Sequence, residues 1–335
     1  MASYSLRKAS KSTLGEMLWP FLGSAASRFL FRGKRGLILM FHYIGDPVLA
    51  GVGEDLFLSR AEFARILDFV CAKLRPLDPQ DFLAGMRSGT LPPGATMLTF
   101  DDCAERTVVE GLPELVSRDL KACFFANPGL IDAGRTVPAL ELMDLCRNAG
   151  PGSYELRLPE RVVIEISGNE SRALAYRLLW PRVLACPSRG HVALFASIRE
   201  AFGVRELSPD VRLASWPQVE DLHSSGMLVG NHTMLHSTVQ ADGVDQFSAD
   251  VAEAYRIFES RFGSSDRVFC YPYGRAVDAT SAATASLSAL GTDYGFVTQG
   301  GIACAEKTGL LNLRREEAAY SVGAVKLAPL LAAVR

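Results

Sequence analysis

Two adjacent aspartates, two histidines four residues apart and a proline-centred aromatic turn are the residues of this chain best suited to chemistry. Asp101 and Asp102 close the stretch TMLTFDD, directly after an apolar run. Neighbouring carboxylates repel, so a pair leaving the core together marks either a surface turn or a place where a cation offsets one of them. His232 and His236 lie in VGNHTMLHST, and an i, i+4 spacing aims both imidazoles the same way on a helical turn. Two imidazoles and one carboxylate form a common donor set for Zn2+ or a similar divalent ion, with a position left for water. The stretch CYPYGR (270–275) adds Pro272, whose fixed φ and missing N–H force a turn. Beside a cation, such a turn can aim the Tyr273 N–H at a developing oxyanion. None of the three motifs is specific alone; their coexistence carries the argument.

These residues need strands to bring them together. The runs GLILMFHYI (36–44), TMLTF (96–100) and KACFFAN (121–127) are continuously apolar, the pattern of strands buried on both faces. GMLVGN (226–231), RVFCYPYG (267–274) and YGFVTQ (294–299) read the same way. Helical spacing separates them, as in SRAEFARILDFV (59–70), with Ser59 as a candidate N-cap, and DVAEAYRIFESRFG (250–263). ERTVVEGLPELVSRDL is a crossover helix with Gly111 and Pro113 near its start. The alternation predicts an α/β protein with a parallel sheet, closed or distorted into a barrel. In such barrels chemistry gathers at the C-terminal ends of the strands, where all three motifs fall.

Residues 148–212 break this rhythm. A hairpin-like piece, PGSYELRLPERVVIEISGNE, precedes the helical SRALAYRLLWPRVL. The segment reads as an insertion between barrel units, either a lid beside the site or a helical decoration. The barrel itself spans 36–335.

Composition narrows the function classes. The 335 residues are 48% hydrophobic and 21% charged, with a formal net charge of -2, which gives no electrostatic case for a nucleic-acid partner. Seven cysteines without a CxxC pair read as reduced thiols, so the expected location is cytoplasmic. In residues 1–35, basic groups flank an apolar stretch interrupted by Glu16 and Pro20. That pattern reads as an amphipathic helix, packed on the domain or touching a membrane surface, in preference to a secretory leader or a membrane span.

TFDD, HTMLH and YPYG, in that order, resemble the first motifs of the polysaccharide deacetylase family, carbohydrate esterase family four, over roughly residues 36 to 315. The resemblance implies a distorted (β/α) barrel that hydrolyses the N-acetyl group of an N-acetylated amino sugar in a glycan or glycan precursor. It implies that Asp102, His232 and His236 bind one divalent metal ion, Zn2+ first, with Co2+, Ni2+ or Mn2+ as alternatives. Asp101 becomes the general base, the Tyr273 amide an oxyanion donor, and Thr233 and Pro272 line the substrate.

The sequence departs from that pattern in two places. Cys270 stands where many members carry an arginine that orients the base, and Arg314 or Arg315 could replace it. No histidine follows His236, so the late histidine acid is missing. His42, in LMFHYIGD, is the candidate acid, because it resembles the early aromatic-His segment of a subgroup that includes poly-N-acetylglucosamine deacetylases. Cys103 replaces the usual glycine of the first motif. Cys103 and Cys270 read as packing residues, His223 as a surface residue, and His191 has no evident partner. Two alternatives stay open: an amidase or imidase of the same fold, and a catalytically silent glycan-binding barrel.

Overall fold

The computed structural model describes residues 33–158, 160–263 and 267–318. The segment 1–35 therefore lies outside the described residues except for its last three positions. Among the described residues, no helix is long and apolar enough to cross a membrane.

The six apolar runs become strands of one sheet, which a short acidic strand, the last below, joins. They are β1 (Arg35–Phe41), β2 (Ala95–Phe100), β3 (Ala122–Ala126), β4 (Leu228–Asn231), β5 (Val268–Cys270), β6 (Tyr294–Phe296) and β7 (Glu316–Glu317). Across the sheet they run β6-β5-β4-β3-β2-β1-β7, all neighbours parallel. The register is fixed by pairs such as Phe41 with Phe100 and Ala126 with Asn231. Leu313 bridges Phe296 of β6, while β7 pairs with β1 at the other edge. One short segment, 313–317, thus reaches both edges and curls the sheet into the distorted barrel.

Alternation along the strands splits the core in two. Leu39, Leu98 and Phe124 pack outward with Phe63, Ile66, Leu67 and Val70 of α1 (Arg60–Lys73). Ser59 caps that helix in a capping box with Glu62, as its sequence suggested. Ile38, Met97, Phe125 and Phe296 turn the other way and meet Phe82, Leu83 and Met86 of α2 (Pro79–Ser88). The crossover helix α3 (Glu105–Val116) runs through Pro113. Gly111 lets it close on Ile44, whose Cδ1 would lie 2.9 Å from an added Cβ.

The excursion after α4 (Pro138–Asn148) has its own apolar cluster. It comprises an antiparallel hairpin, Gly152–Leu158 with Glu160–Ile166, then α5 (Asn169–Ala185) and α6 (His191–Phe202). Leu156, Val162, Ile164 and Ile166 of the hairpin share this cluster with residues of α4, α5 and α6 and with Val48, Leu49 and Val52 of the loop after β1. The chain returns to the barrel through α7 (Trp216–Ser224). The later helix α8 (Val239–Phe262) starts well before the expected residue 250 and is broken at Gly243 (φ 76°).

Segment 310–315 can lie against β6 only because residue 295 has no side chain. A Cβ there would sit 2.4 Å from the Leu311 carbonyl oxygen, a backbone atom that cannot rotate away. Gly295 also exchanges hydrogen bonds with Leu310 and Leu313, each 2.8 Å. Gly295→Ala is expected to lower unfolding free energy by about 1–3 kcal/mol, the usual cost of forcing extra atoms into a packed site. Urea unfolding measures it, and an unchanged midpoint would mean the segment yields freely.

Candidate active site

Neighbouring strand ends deliver the site. Phe41 leads to His42, Phe100 to Asp101 and Asp102, Ala126 to Asn127, and Asn231 to His232. The chain bends sharply where it leaves the sheet. Six non-glycine residues among those described have positive φ, and five are here: Asp102 (67°), Cys103 (53°), Thr233 (66°), His236 (60°) and Tyr273 (59°). Left-handed backbone is costly for such residues and clusters where function requires it. It also explains why Cys103 occupies a position suited to glycine.

The histidine stretch is not a helical turn. Residues 232–237 form an irregular loop, and hydrogen bonds set its shape. Asn127 Nδ2 donates to the carbonyls of His232 and Thr233. Asn231 Oδ1 accepts the Thr233 N–H at 2.8 Å, and Thr233 Oγ1 accepts that of Ser237 at 2.8 Å. Asp250 Oδ2, from α8, accepts from the Met234 N–H and the Ser237 hydroxyl.

This loop turns both imidazoles onto Asp102. His232 Nε2 and His236 Nε2 lie 3.3 and 3.2 Å from Asp102 Oδ1. His232 Nδ1 is 2.8 Å from the Cys270 carbonyl. A carbonyl only accepts, so the proton sits on Nδ1 and Nε2 presents its lone pair. Tyr43 Oη donates to Asp102 Oδ2, which leaves Oδ1 buried with no hydrogen-bond partner. Three lone-pair-bearing atoms thus converge within 4.8 Å of one another, all on buried residues. The arrangement fits a divalent cation.

Asp101, one residue earlier, has another partner. Arg315 is fully buried and forms a two-pronged bond to it, Nη1 to Oδ1 and Nη2 to Oδ2, both 2.7 Å. Burial raises the Asp101 carboxyl, yet Arg315 wins and keeps it below its ordinary value. Cys270 Sγ lies 3.0 Å from Arg315 Nη2, and burial raises its thiol, which stays neutral. Asp101, His232 and Cys270 also lie close enough to share an ion, but the guanidinium already occupies that corner.

His42 stands between two carboxylates. Its Nε2 is 3.7 Å from Asp101 Oδ2 and its Nδ1 is 3.3 Å from Glu317 Oε2, with 13% of the side chain exposed. Burial lowers its pKa, but Glu317 and then Asp101 reverse that and raise it to about 9. Glu317 is itself pushed up by burial, which His42 only partly offsets.

Tyr273, partly exposed, places its ring 4.6 Å from His236. Pro272 is buried in the turn, and Thr233, also buried, braces the loop through its hydroxyl. His223 is exposed on α7. His191, which offered no partner in the sequence, is buried with Nε2 3.1 Å from the Val183 carbonyl. Of the two candidate arginines, Arg315 reaches Asp101. Glu317 and Tyr43 were missed. A signal for Glu317 existed: in extended chain, residues two apart share a face, so it follows Arg315 inward.

Residues 88–294 match the family described as Polysaccharide deacetylase. No curated protein matches. Among solved structures, IcaB from Ammonifex degensii is 20% identical, covering 90% of this chain and 98% of its own, with a TM-score of 0.55. The Streptococcus pyogenes deacetylase PplD, solved with acetate, is 17% identical over 84% of this chain and 92% of its own, TM-score 0.55. The BpsB deacetylase domain from Bordetella bronchiseptica is 16% identical over 85% and 97%, TM-score 0.51. At these identities the likeness is one of fold.

The Arg315–Asp101 pair has a measurable consequence. Arg315→Met strands a buried carboxylate and is expected to cost about 3–5 kcal/mol. Adding Asp101→Asn should restore much of that loss, because neither charge is then unpaired. Urea unfolding of the two single variants and the double variant tests this; fully additive losses would show that the two groups do not act as a pair.

Proposed function

Because the chain belongs to the polysaccharide deacetylase family, we propose that it hydrolyses the N-acetyl group of an N-acetylated amino sugar in a glycan or glycan precursor. One divalent ion, held by Asp102, His232 and His236, assists. The carrying observation is Asp102 Oδ1, buried without a hydrogen-bond partner and faced by two imidazole nitrogens. The donor set favours Zn2+, with Co2+, Ni2+ or Mn2+ as substitutes. When bound, such an ion supplies a Lewis acid for the acetyl carbonyl and acidifies water beside it.

The chain's own residues divide the proton work. Asp101 is kept ionised by Arg315 and accepts the proton of the attacking water on a carboxylate oxygen. His42 is kept protonated by Glu317 and Asp101, and its Nε2 proton goes to the leaving sugar amine. Two groups whose environments push them to opposite protonation states are the expected signature of such a pair. The backbone N–H of Tyr273 is assigned to the oxyanion, and the hydroxyl of Thr233 holds the histidine loop. On this reading Arg315, and His42 with Glu317, stand in for the orienting arginine and the late histidine acid that the sequence lacks, which counts against a silent barrel. We also assign the 148–212 excursion to the wall of the substrate site.

Purified protein is expected to carry about one equivalent of a divalent ion, and His232→Ala/His236→Ala to carry none. Acetate release from N-acetylated sugars should stop on chelation and return with Zn2+. A protein that never retains metal would sink this mechanism. Metal binding with turnover of non-sugar amides alone would instead favour the amidase.

The acid assignment has a pH consequence. His42 donates only while protonated, so the rate should decline as pH rises through about 9. Glu317→Gln removes the charge that raises His42 most, so the decline should begin at lower pH. His42→Gln should reduce kcat about 100-fold or more. A pH–rate profile indifferent to both substitutions would remove His42 from the mechanism.

A further inference from the structure

We propose that Trp180, on the excursion helix α5, is a stacking platform for a sugar ring of the substrate, set edge-on to Tyr273 beside the metal-binding residues. This deepens the deacetylase reading and rests on it for the identity of the ligand. Helix α5 is tied to the loop that follows β1 and His42, since Arg177 Nη2 donates to the Gly51 carbonyl at 3.0 Å. One turn along, Trp180 places its ring 5.6 Å from that of Tyr273, at 80°. Tyr273 in turn lies 4.6 Å from His236. Trp180, Tyr273 and His236 thus make successive edge contacts up to a candidate metal ligand, and Arg275 lies 5.3 Å from the centre of the Tyr273 ring, which leaves the indole as the candidate stacking face.

Trp180 is also built to stay in place. Tyr176, one turn earlier and buried, stacks on it at 5.5 Å and 13°, so the indole is backed before any ligand arrives. Yet Trp180 and Tyr273 both remain partly exposed. Trp216 makes a useful contrast: its ring has Arg261 3.8 Å above it, and its Nε1 donates to Asp132 at 2.6 Å. Trp180 Nε1 has no acceptor among the described residues and is not among their buried unpaired atoms. A flat apolar surface with a spare N–H donor suits a ligand with one C–H face and a rim of hydroxyls. That is the chemistry of a hexosamine ring, and an indole offers it a large apolar face with a polar N–H at its edge.

The metal-loaded enzyme and Trp180→Ala and Trp180→Phe variants would be compared on a β-1,4-linked N-acetylglucosamine tetrasaccharide. Acetate release gives KM and kcat. Calorimetric binding of the same tetrasaccharide is measured in the slowed His42→Gln background. KM and Kd should rise about tenfold in Trp180→Ala, with kcat falling less than threefold and most affinity regained in Trp180→Phe. Equal metal content in the variants would show that the site is intact. Unchanged KM and Kd in Trp180→Ala would overturn the platform and leave the deacetylase standing. Binding that depends on Trp180 without any acetate release would keep the platform and count against the deacetylase. No binding at all would overturn the platform.

Discussion

Arg315 and Asp101 form an ion pair with almost no access to water, and the organisation of the site follows from it. Two carboxylates adjacent in sequence would be hard to ionise together in a buried cleft. The structure separates their fates by giving each a different partner: Asp101 takes a guanidinium in two 2.7 Å bonds. Asp102 takes Tyr43 on one oxygen and two imidazoles near the other. The first arrangement satisfies both carboxylate oxygens, and the second leaves one unsatisfied. That difference separates the proposed proton acceptor from the proposed cation ligand.

Holding this arrangement requires backbone geometry that side chains ordinarily resist. Five residues of the site have left-handed φ, each costing about 1–3 kcal/mol relative to relaxed backbone. Buried amide and carboxylate groups offset this cost. Asn127, Asn231 and Asp250 together satisfy donors and acceptors of residues 232–237. They come from the ends of two strands and from helix α8, so the loop is fixed by the barrel and not by its own sequence. The result is a site whose donors are positioned before substrate arrives, which lowers the reorganisation needed during reaction.

Much of this was legible in the sequence, and the failures have physical causes. Buried strands announced themselves as unbroken apolar runs, and the motif residues fell at their ends because turns off a sheet leave polar groups there. The i, i+4 spacing of His232 and His236 suggested a helix, yet two left-handed residues bring the rings together from a loop. Spacing reports separation along the chain, whereas the loop is decided by Asn127 and Asp250, far away in sequence. Arg314 and Arg315 were indistinguishable until the strand fixed which one points inward. Tyr43 was hidden because a tyrosine after a histidine in an apolar run looks like core, and Phe57, 4.9 Å from its ring, makes it partly so.

The segment 313–317 joins these threads. Leu313 bridges β6 and Glu316–Glu317 pair with β1, so the same residues that curl the sheet carry Arg315 and Glu317. Arg315 sets the charge of Asp101, and Glu317 is the largest influence raising that of His42. The proposed acid and base therefore take their protonation states from one short stretch of chain. Cys270 makes room for this solution. Its sulfur sits 3.0 Å from the Arg315 guanidinium and 3.6 Å from both Asp101 oxygens. An arginine side chain at 270 would have to enter the volume that Arg315 fills. Moving the cation from the turn to the closing strand keeps the charge on Asp101 while tying it to the completeness of the barrel, so disturbing the closure would disturb the chemistry.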